Sequence, residues 1–111
     1  MKLVKAGEGT PYEAKGHTNY WAMNKMTPET CTKRLTIGLS HFLPGGGCSV
    51  SSNPRERVYY CVYGSILVKG KSEEYVLNPG DAIYIAPGEE RSFQTRGTDP
   101  ASILVIMSTV D

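Results

Sequence analysis

The sequence lacks the features that point to a membrane or a nucleic-acid partner. No stretch approaches the run of about 18 apolar residues that a membrane-spanning helix needs. Its 12 basic and 11 acidic residues leave a formal charge of only +1. Proteins that bind nucleic acids usually carry a concentrated basic face. We therefore expect neither a membrane nor a nucleic acid as a partner.

The cysteines of this sequence do not form the spaced pairs that are typical of a disulfide framework or a metal site. The three cysteines, Cys31, Cys48 and Cys61, are odd in number and include no CxxC pair. This pattern argues against a disulfide framework and favours a reducing compartment. The first residues contain only a short apolar patch, broken by Lys5, which is too short for a signal peptide. We expect a cytoplasmic protein.

Helical periodicity is also missing, whereas strand signals are frequent. No apolar stripe with a 3.6-residue period persists for more than one turn. Residues 35–43 instead alternate with period two, and residues 58–63, 65–68 and 82–86 are rich in β-branched and aromatic side chains. Glycine, proline and asparagine separate these runs. The pattern predicts an all-β sandwich or barrel of seven or eight short strands.

The chain is expected to form one domain with an N-terminal extension. Residues 1–33 are predicted to be an arm that packs on the barrel or on a partner subunit, and residues 34–111 to be the barrel. Pro44 to Gly47 is predicted to be a flexible turn, and residues 102–107 a central strand. The aromatic residues Tyr20 and Trp21, with the two-faced strand 58–63, suit a homodimer contact.

Two glycine-containing segments resemble the motifs of the cupins, which are small barrels of the double-stranded β-helix, or jelly-roll, kind. The first segment runs from Gly45 to Gly64. The second runs from Gly80 through Asp81 and an apolar strand to Pro87, Gly88 and Arg91. The resemblance covers roughly residues 34–107 and implies an all-β jelly-roll barrel.

The resemblance also implies where a metal would bind, and the residues at those positions are unusual. The two histidine positions of the first motif fall on Ser51 and Asn53, or one residue earlier on Val50 and Ser52. The glutamate position holds Arg57, or Glu56 if the register slips by one. The histidine position of the second motif holds Arg91. A guanidinium has no lone pair to give a cation, so we expect the usual metal site to be absent. No cofactor is expected.

Strand alternation predicts that Arg57, Tyr59 and Cys61 point into the barrel, and that Arg91 and Phe93 share one face. Ile83 and Ile85 are expected to line the same cavity. A buried arginine is costly unless a negative group satisfies it, so we expect the barrel to bind a small carboxylate- or phosphate-bearing molecule. The predicted ligand-binding residues are Arg57, Tyr59, Arg91, Phe93, Ser51 and Asn53.

Four alternatives remain open. The arginines could lie at the rim, paired with Glu56, Glu89 or Glu90. The protein could be an enzyme of the isomerase, decarboxylase or dioxygenase type, with Tyr59 as proton donor or Cys61 as a thiolate of lowered pKa. A divalent metal could bind through His17 and His41. Finally, the chain could be a non-catalytic accessory subunit.

Overall fold

The computed structural model describes residues 1–109, in which β-strands are the only regular elements. The all-β prediction is confirmed. The nine strands are β1 (Thr10–Tyr12), β2 (His17–Met26), β3 (Leu35–Ser51), β4 (Arg57–Tyr63), β5 (Ile66–Lys69), β6 (Glu74–Leu77), β7 (Ala82–Ile85), β8 (Arg91–Thr95) and β9 (Ala101–Ser108). No helix able to cross a membrane is found within residues 1–109.

The strands form one antiparallel sheet in the order β6-β5-β8-β3-β9-β4-β7, which curls into a nearly closed barrel. The long strand β3 joins the two halves, because its first part pairs with β9 and its last part with β8. The strand β9 lies between β3 and β4. The prediction that this last apolar strand is central is therefore confirmed.

The predicted flexible turn at Pro44 to Gly47 is wrong, because β3 runs through it as continuous strand. Gly45 has a φ of 82°, a backbone conformation that L side chains rarely adopt. A Cβ on Gly47 would lie 2.2 Å from the carbonyl oxygen of Phe93. The glycines therefore let β3 bend and approach β8 closely, rather than reverse the chain.

The segment predicted as an arm contributes two strands to the sheet. Strand β2 pairs with β3, from His17 opposite Cys48 to Met26 opposite Ile37, and β1 pairs with the outer edge of β2. Tyr20 packs against the buried core, and its hydroxyl accepts a hydrogen bond from the backbone NH of Ala14 at 2.7 Å. This pairing brings the N-terminal residues to one opening of the barrel.

The barrel interior is filled by alternate residues of the strands. On β4, Arg57, Tyr59 and Cys61 are buried, whereas Tyr60 and Val62 are exposed, as the period-two pattern predicts. The core also contains residues from β3, β5, β6, β7, β8 and β9. The buried cluster comprises Phe42, Cys48, Tyr59, Cys61, Ile66, Val68, Leu77, Ile85, Phe93, Ala101 and Ile103.

Candidate functional site

One end of the barrel contains a polar cavity of about 580 Å³. Strand β4 supplies Arg57 and Tyr59 to its wall, β8 supplies Arg91, and β1 and β2 supply Tyr12 and His17. Its apolar wall is formed by Phe93, Ile103, Val105 and Met107. Ile83 and Ile85 pair with Tyr59 and Arg57 across β7 and β4 and pack with the same buried core. Together with Arg91 they line an adjoining cavity of about 440 Å³ between β7 and the β5–β6 hairpin, and Arg91 borders both cavities.

Arg57 is buried with most of its hydrogen-bonding capacity unused. Its side chain is 3% exposed, and Nη1 donates to the Tyr59 hydroxyl at 3.3 Å. The Nε and Nη2 atoms are also buried, and neither has a hydrogen-bond partner within the described residues. Burial lowers the pKa of this guanidinium from its ordinary value, and the charge of Arg91 lowers it further, although the hydroxyl of Tyr59 opposes the shift. The molecule therefore keeps a poorly compensated cation in its interior.

Arg91 is held in place by neutral groups. Its Nε donates to the Tyr59 hydroxyl at 2.7 Å, and its Nη1 donates to Ser51 Oγ and to Cys48 Sγ. The guanidinium carbon lies 5.3 Å from the centre of the Phe93 ring, within the range of a cation–π contact. These contacts fix the position of the guanidinium but do not neutralise its charge.

The carboxylates expected as rim partners have other contacts. Glu56 accepts a hydrogen bond from the Tyr84 hydroxyl at 3.0 Å, and Glu89 accepts one from the backbone NH of Ala86 at 2.9 Å. Glu90 lies 3.9 Å from Lys71 Nζ, the one salt bridge found within residues 1–109. No rim ion pair to Arg57 or Arg91 is formed in this part of the chain, so two guanidiniums share the barrel interior.

The remaining predicted ligand contacts are close to these arginines. Ser51 and Asn53 both line the cavity, as does Phe93. The side-chain oxygen of Asn53 accepts a hydrogen bond from the backbone NH of Arg55 at 2.9 Å, which shapes the loop between β3 and β4. Phe93 makes an edge contact with the Tyr59 ring at a centroid distance of 5.5 Å. The sequence therefore identified residues that the fold brings together.

Cys61 does not have the surroundings of a reactive thiol. It is fully buried, and its sulfur donates weakly to the backbone oxygens of Tyr63 and Gly64 at 3.6 and 3.5 Å. Burial raises the pKa of the thiol, so the predicted lowering is wrong. The cysteine beside a guanidinium is instead Cys48, at 3.3 Å from Arg91 Nη1. Sequence reasoning missed it because the bend in β3 decides which of its residues face inward.

The two histidines lie on opposite faces of the sheet. His17 borders the cavity, where its ring packs against Tyr20 and against the edge of Phe93. His41 faces outward, stacks on Trp21 at 5.6 Å and contacts Ser102 Oγ through Nδ1 at 2.7 Å. The two imidazoles therefore cannot share one ion.

Tyr12 is a further cavity residue that sequence reasoning did not identify. Burial raises the pKa of its hydroxyl above the ordinary value, although a hydrogen bond with Ser40 opposes the shift. At neutral pH it is therefore a phenol rather than a phenolate. Its position depends on the short strand β1, which had no recognisable signal among the glycines and prolines of the first residues.

The profile of the Cupin domain family matches residues 38–107, which is more than half of the chain. The protein is a cupin. Beta-D-galactosidase Rv1717 from Mycobacterium tuberculosis is 33% identical over 107 residues, covering 96% of this chain and 91% of the relative.

Solved structures show the same fold at low identity. The polyketide cyclase RemF from Streptomyces resistomycificus superimposes with a TM-score of 0.87 at 19% identity, over 99% of this cupin and 80% of that chain. A predicted oxalate decarboxylase from Thermotoga maritima, tm1287, superimposes with a TM-score of 0.84 at 16% identity, over 98% and 100% of the two chains. These likenesses concern the fold alone.

The residues at the usual cupin metal-ligand positions do not fit a divalent ion. By the family resemblance those positions fall on Ser51, Asn53, Arg57 and Arg91, or on Val50, Ser52 and Glu56 in place of the first three if the register slips by one. Arg57 and Arg91 both line the cavity, and their guanidiniums would repel a cation. Within residues 1–109, no cluster of three or more histidine, cysteine, aspartate or glutamate side chains could hold a metal. The guanidiniums of Arg57 and Arg91 therefore supply hydrogen-bond donors, and no lone pairs, to the wall of the cavity.

Proposed function

We propose that this cupin binds a small carboxylate- or phosphate-bearing molecule in the barrel through Arg57, Tyr59 and Arg91, without a metal at the usual ligand positions. The observation that carries the proposal is a pair of donor atoms of Arg57 that have no partner within the described residues. Nε and Nη2 lie on one edge of the guanidinium, and both are buried in a side chain that lines the cavity. Together they form the donor fork that binds two oxygens of a carboxylate or phosphate at once.

The buried donors of Arg57 without partners within the described residues have an energetic cost. A buried donor without a partner costs about 1–3 kcal/mol, and a charged one costs more. Arg57 and Arg91 both donate to the one hydroxyl of Tyr59, which cannot neutralise either charge. An anion between them would supply both the missing acceptors and the missing negative charge. Binding of an anion would therefore offset the cost of burying these two positive charges.

The size and polarity of the cavity also support this function. A volume of about 580 Å³ lies within the range of small-molecule sites. The wall combines an apolar side from β9 with a few polar groups. This is the usual arrangement of a pocket in which polar groups fix the orientation of a ligand.

The proposal can be tested by calorimetric titration with acetate, succinate and inorganic phosphate. We expect saturable binding of at least one of these anions by the wild-type protein, and loss of that binding in Arg57→Met and Arg91→Met. Arg96→Met is the matched control, because Arg96 is an exposed arginine outside the cavity. Equal affinities in the wild type and both cavity variants would overturn the proposal.

A second candidate function is catalysis on a bound ligand, and two observations favour it. The relative from M. tuberculosis is named a β-D-galactosidase. In addition, the Tyr59 oxygen accepts from two guanidiniums, so its own proton remains to be donated to a ligand. No aspartate or glutamate of the described chain lines the cavity, whereas most glycosidases use two carboxylates.

Catalysis can be tested separately by two activity assays. Release of nitrophenol from nitrophenyl β-D-galactoside, abolished in Tyr59→Phe, would establish glycosidase activity. Product analysis after incubation with small carboxylic acids would reveal an isomerase, decarboxylase or dioxygenase. Anion binding without turnover in either assay would instead support a binding or accessory protein.

We also propose that the outer face of the β2-β3-β9-β4 sheet forms a homodimer contact. Strand pairing places Leu39, Leu104 and Tyr60 in one outward-facing row, and Trp21 is 48% exposed on the same face. These side chains are uncharged, so a two-fold axis through them brings no like charges together. Sedimentation equilibrium should give the dimer mass for the wild type and the monomer mass for Tyr60→Lys; a monomeric wild type would contradict the proposal.

We propose a cytoplasmic location on the basis of the cysteines. The thiols of Cys31, Cys48 and Cys61 are all free. Free thiols are typical of a reducing compartment. Fractionation of cells that express the protein would test the proposal.

A further inference from the structure

We infer that the ligand of the cavity is a hydroxycarboxylate, in which a carboxylate binds the arginines and a hydroxyl group on the same molecule binds His17. This inference rests on the proposed anion-binding function and adds the chemical class of the ligand. It depends on how donors and acceptors are distributed within the cavity.

The arginine side of the cavity is rich in hydrogen-bond donors. Arg57 has two buried donors, Nε and Nη2, neither of which has a partner within residues 1–109. The oxygen of Tyr59 already accepts from Arg57 and Arg91, so this hydroxyl can act only as a donor to a ligand. An ionised carboxylate accepts hydrogen bonds and donates none, and its two oxygens match the spacing of a guanidinium fork. This side therefore suits a carboxylate.

His17 contributes an acceptor to the same cavity. Its Nδ1 lies 2.9 Å from the backbone oxygen of Lys15. A carbonyl oxygen only accepts, so Nδ1 must carry the proton, and Nε2 of the neutral ring is then the acceptor. Burial lowers the pKa of His17 below its ordinary 6.5, and the nearby charge of Arg91 lowers it further, while the Lys15 contact opposes the shift. The imidazole is therefore neutral at pH 7.

A neutral acceptor near two guanidiniums selects for a ligand with a donor. A plain carboxylate or phosphate dianion satisfies the arginines but brings no proton to His17. A hydroxyl group donates to the imidazole and can also accept from hydroxyls such as those of Tyr12 and Ser40, which line the same cavity. The name of the 33% identical relative, a β-D-galactosidase, agrees with a ligand that carries several hydroxyls.

Three probes of similar ring size separate the two parts of the inference. D-galacturonate has a ring, a carboxylate and hydroxyls; cyclohexanecarboxylate keeps the ring and carboxylate; and D-galactose keeps the ring and hydroxyls. Calorimetric titration at pH 7 should rank galacturonate first and cyclohexanecarboxylate second, with no detectable binding of galactose. Galacturonate should bind about 3- to 10-fold more tightly than cyclohexanecarboxylate, which is the usual effect of one hydrogen bond on affinity.

A histidine variant tests the assigned acceptor. His17→Phe keeps an aromatic ring against Phe42 and Phe93 but removes Nε2. It should reduce the affinity for galacturonate by about 3- to 10-fold and leave that for cyclohexanecarboxylate unchanged. His41→Phe is the matched control, because His41 is on the outer face of the sheet and should alter neither affinity.

The outcomes distinguish this inference from the function on which it rests. Equal affinities for galacturonate and cyclohexanecarboxylate, both lost in Arg57→Met, would overturn the hydroxycarboxylate inference and leave anion binding intact. Galactose binding as tightly as galacturonate would overturn both. Binding of inorganic phosphate or succinate but of neither ring acid would overturn the inference alone, since the arginines would then select another anion.

Discussion

The Nε atom of Arg91 donates a 2.7 Å hydrogen bond to the hydroxyl of Tyr59, although the two residues are 32 positions apart in the sequence. Tyr59 lies on β4 and Arg91 on β8, and these strands are not neighbours in the sheet. The bond therefore crosses the barrel interior. It places the phenol between two positive charges and defines the polar end of the cavity.

This relationship predicts the effect of removing one oxygen atom. Tyr59→Phe would leave Arg91 Nε and Arg57 Nη1 without their shared acceptor. We expect the free energy of unfolding to fall by about 1–3 kcal/mol, measured by urea denaturation. The control is Tyr75→Phe, because Tyr75 is an exposed tyrosine on β6 that lies outside both this cavity and the proposed dimer contact. A loss of similar size in Tyr75→Phe would contradict the assigned role of Tyr59.

Arg57→Met is expected to have the opposite effect on stability. The variant removes a buried, largely unpartnered charge and replaces it with an apolar side chain of similar length. We expect the ligand-free protein to gain about 1 kcal/mol or more in free energy of unfolding while losing anion binding. Thermal and urea unfolding would check the first result and calorimetry the second. A strongly destabilised variant would mean that Arg57 has a structural role instead.

The lowered pKa of His17 predicts a pH-dependent contribution to stability. The unfolded chain takes up a proton near pH 6.5, whereas the folded protein takes it up only at lower pH. More protons are then bound in the unfolded state, so this contribution is present above about pH 6.5 and is lost as the pH falls. Urea unfolding between about pH 5 and pH 7 should show a shallower pH dependence in His17→Phe than in the wild type. The same pH dependence of stability in the wild type and in His17→Phe would contradict the lowered pKa of His17.

The donor groups of the cavity predict that anion affinity does not depend on a metal. In the proposed site the cavity wall carries the guanidiniums of Arg57 and Arg91, which have no lone pairs to replace the waters of a divalent ion. Treatment with a chelator should leave the calorimetric affinity for a carboxylate unchanged, and elemental analysis should find less than one metal ion per chain. Loss of binding on chelation, restored by zinc, iron or manganese, would contradict the proposed site.

The strand pattern made much of the site predictable. A period of two placed Arg57, Tyr59 and Cys61 on one face, and the motif spacing related Arg91 to the same cavity. The alternation of residues 35–43 was equally clear, but it did not show which face is interior. In the structure Leu39 and His41 face outward, whereas Ser40 and Phe42 are buried.

Other features of the fold and of the site could not be predicted, because they depend on contacts between distant segments of the chain. The glycines after Pro44 have the composition of a turn, yet they allow a continuous strand to bend against β8. His17 and Tyr12 reach the cavity only because β2 pairs with β3 and β1 pairs with β2. Local sequence carries no direct signal for such pairings, which depend on register across the whole sheet.

The Nε–H resonance of Arg57 in a ¹⁵N NMR spectrum provides the most direct test of the central claim. Its absence from the spectrum of Arg57→Met would assign it, and D-galacturonate would then be titrated into the wild-type protein. The account predicts a saturable shift of this resonance, with the same dissociation constant as calorimetry gives. A resonance that stays in place while calorimetry reports binding would show that the ligand binds elsewhere, and the arginine fork would have to be abandoned as the site.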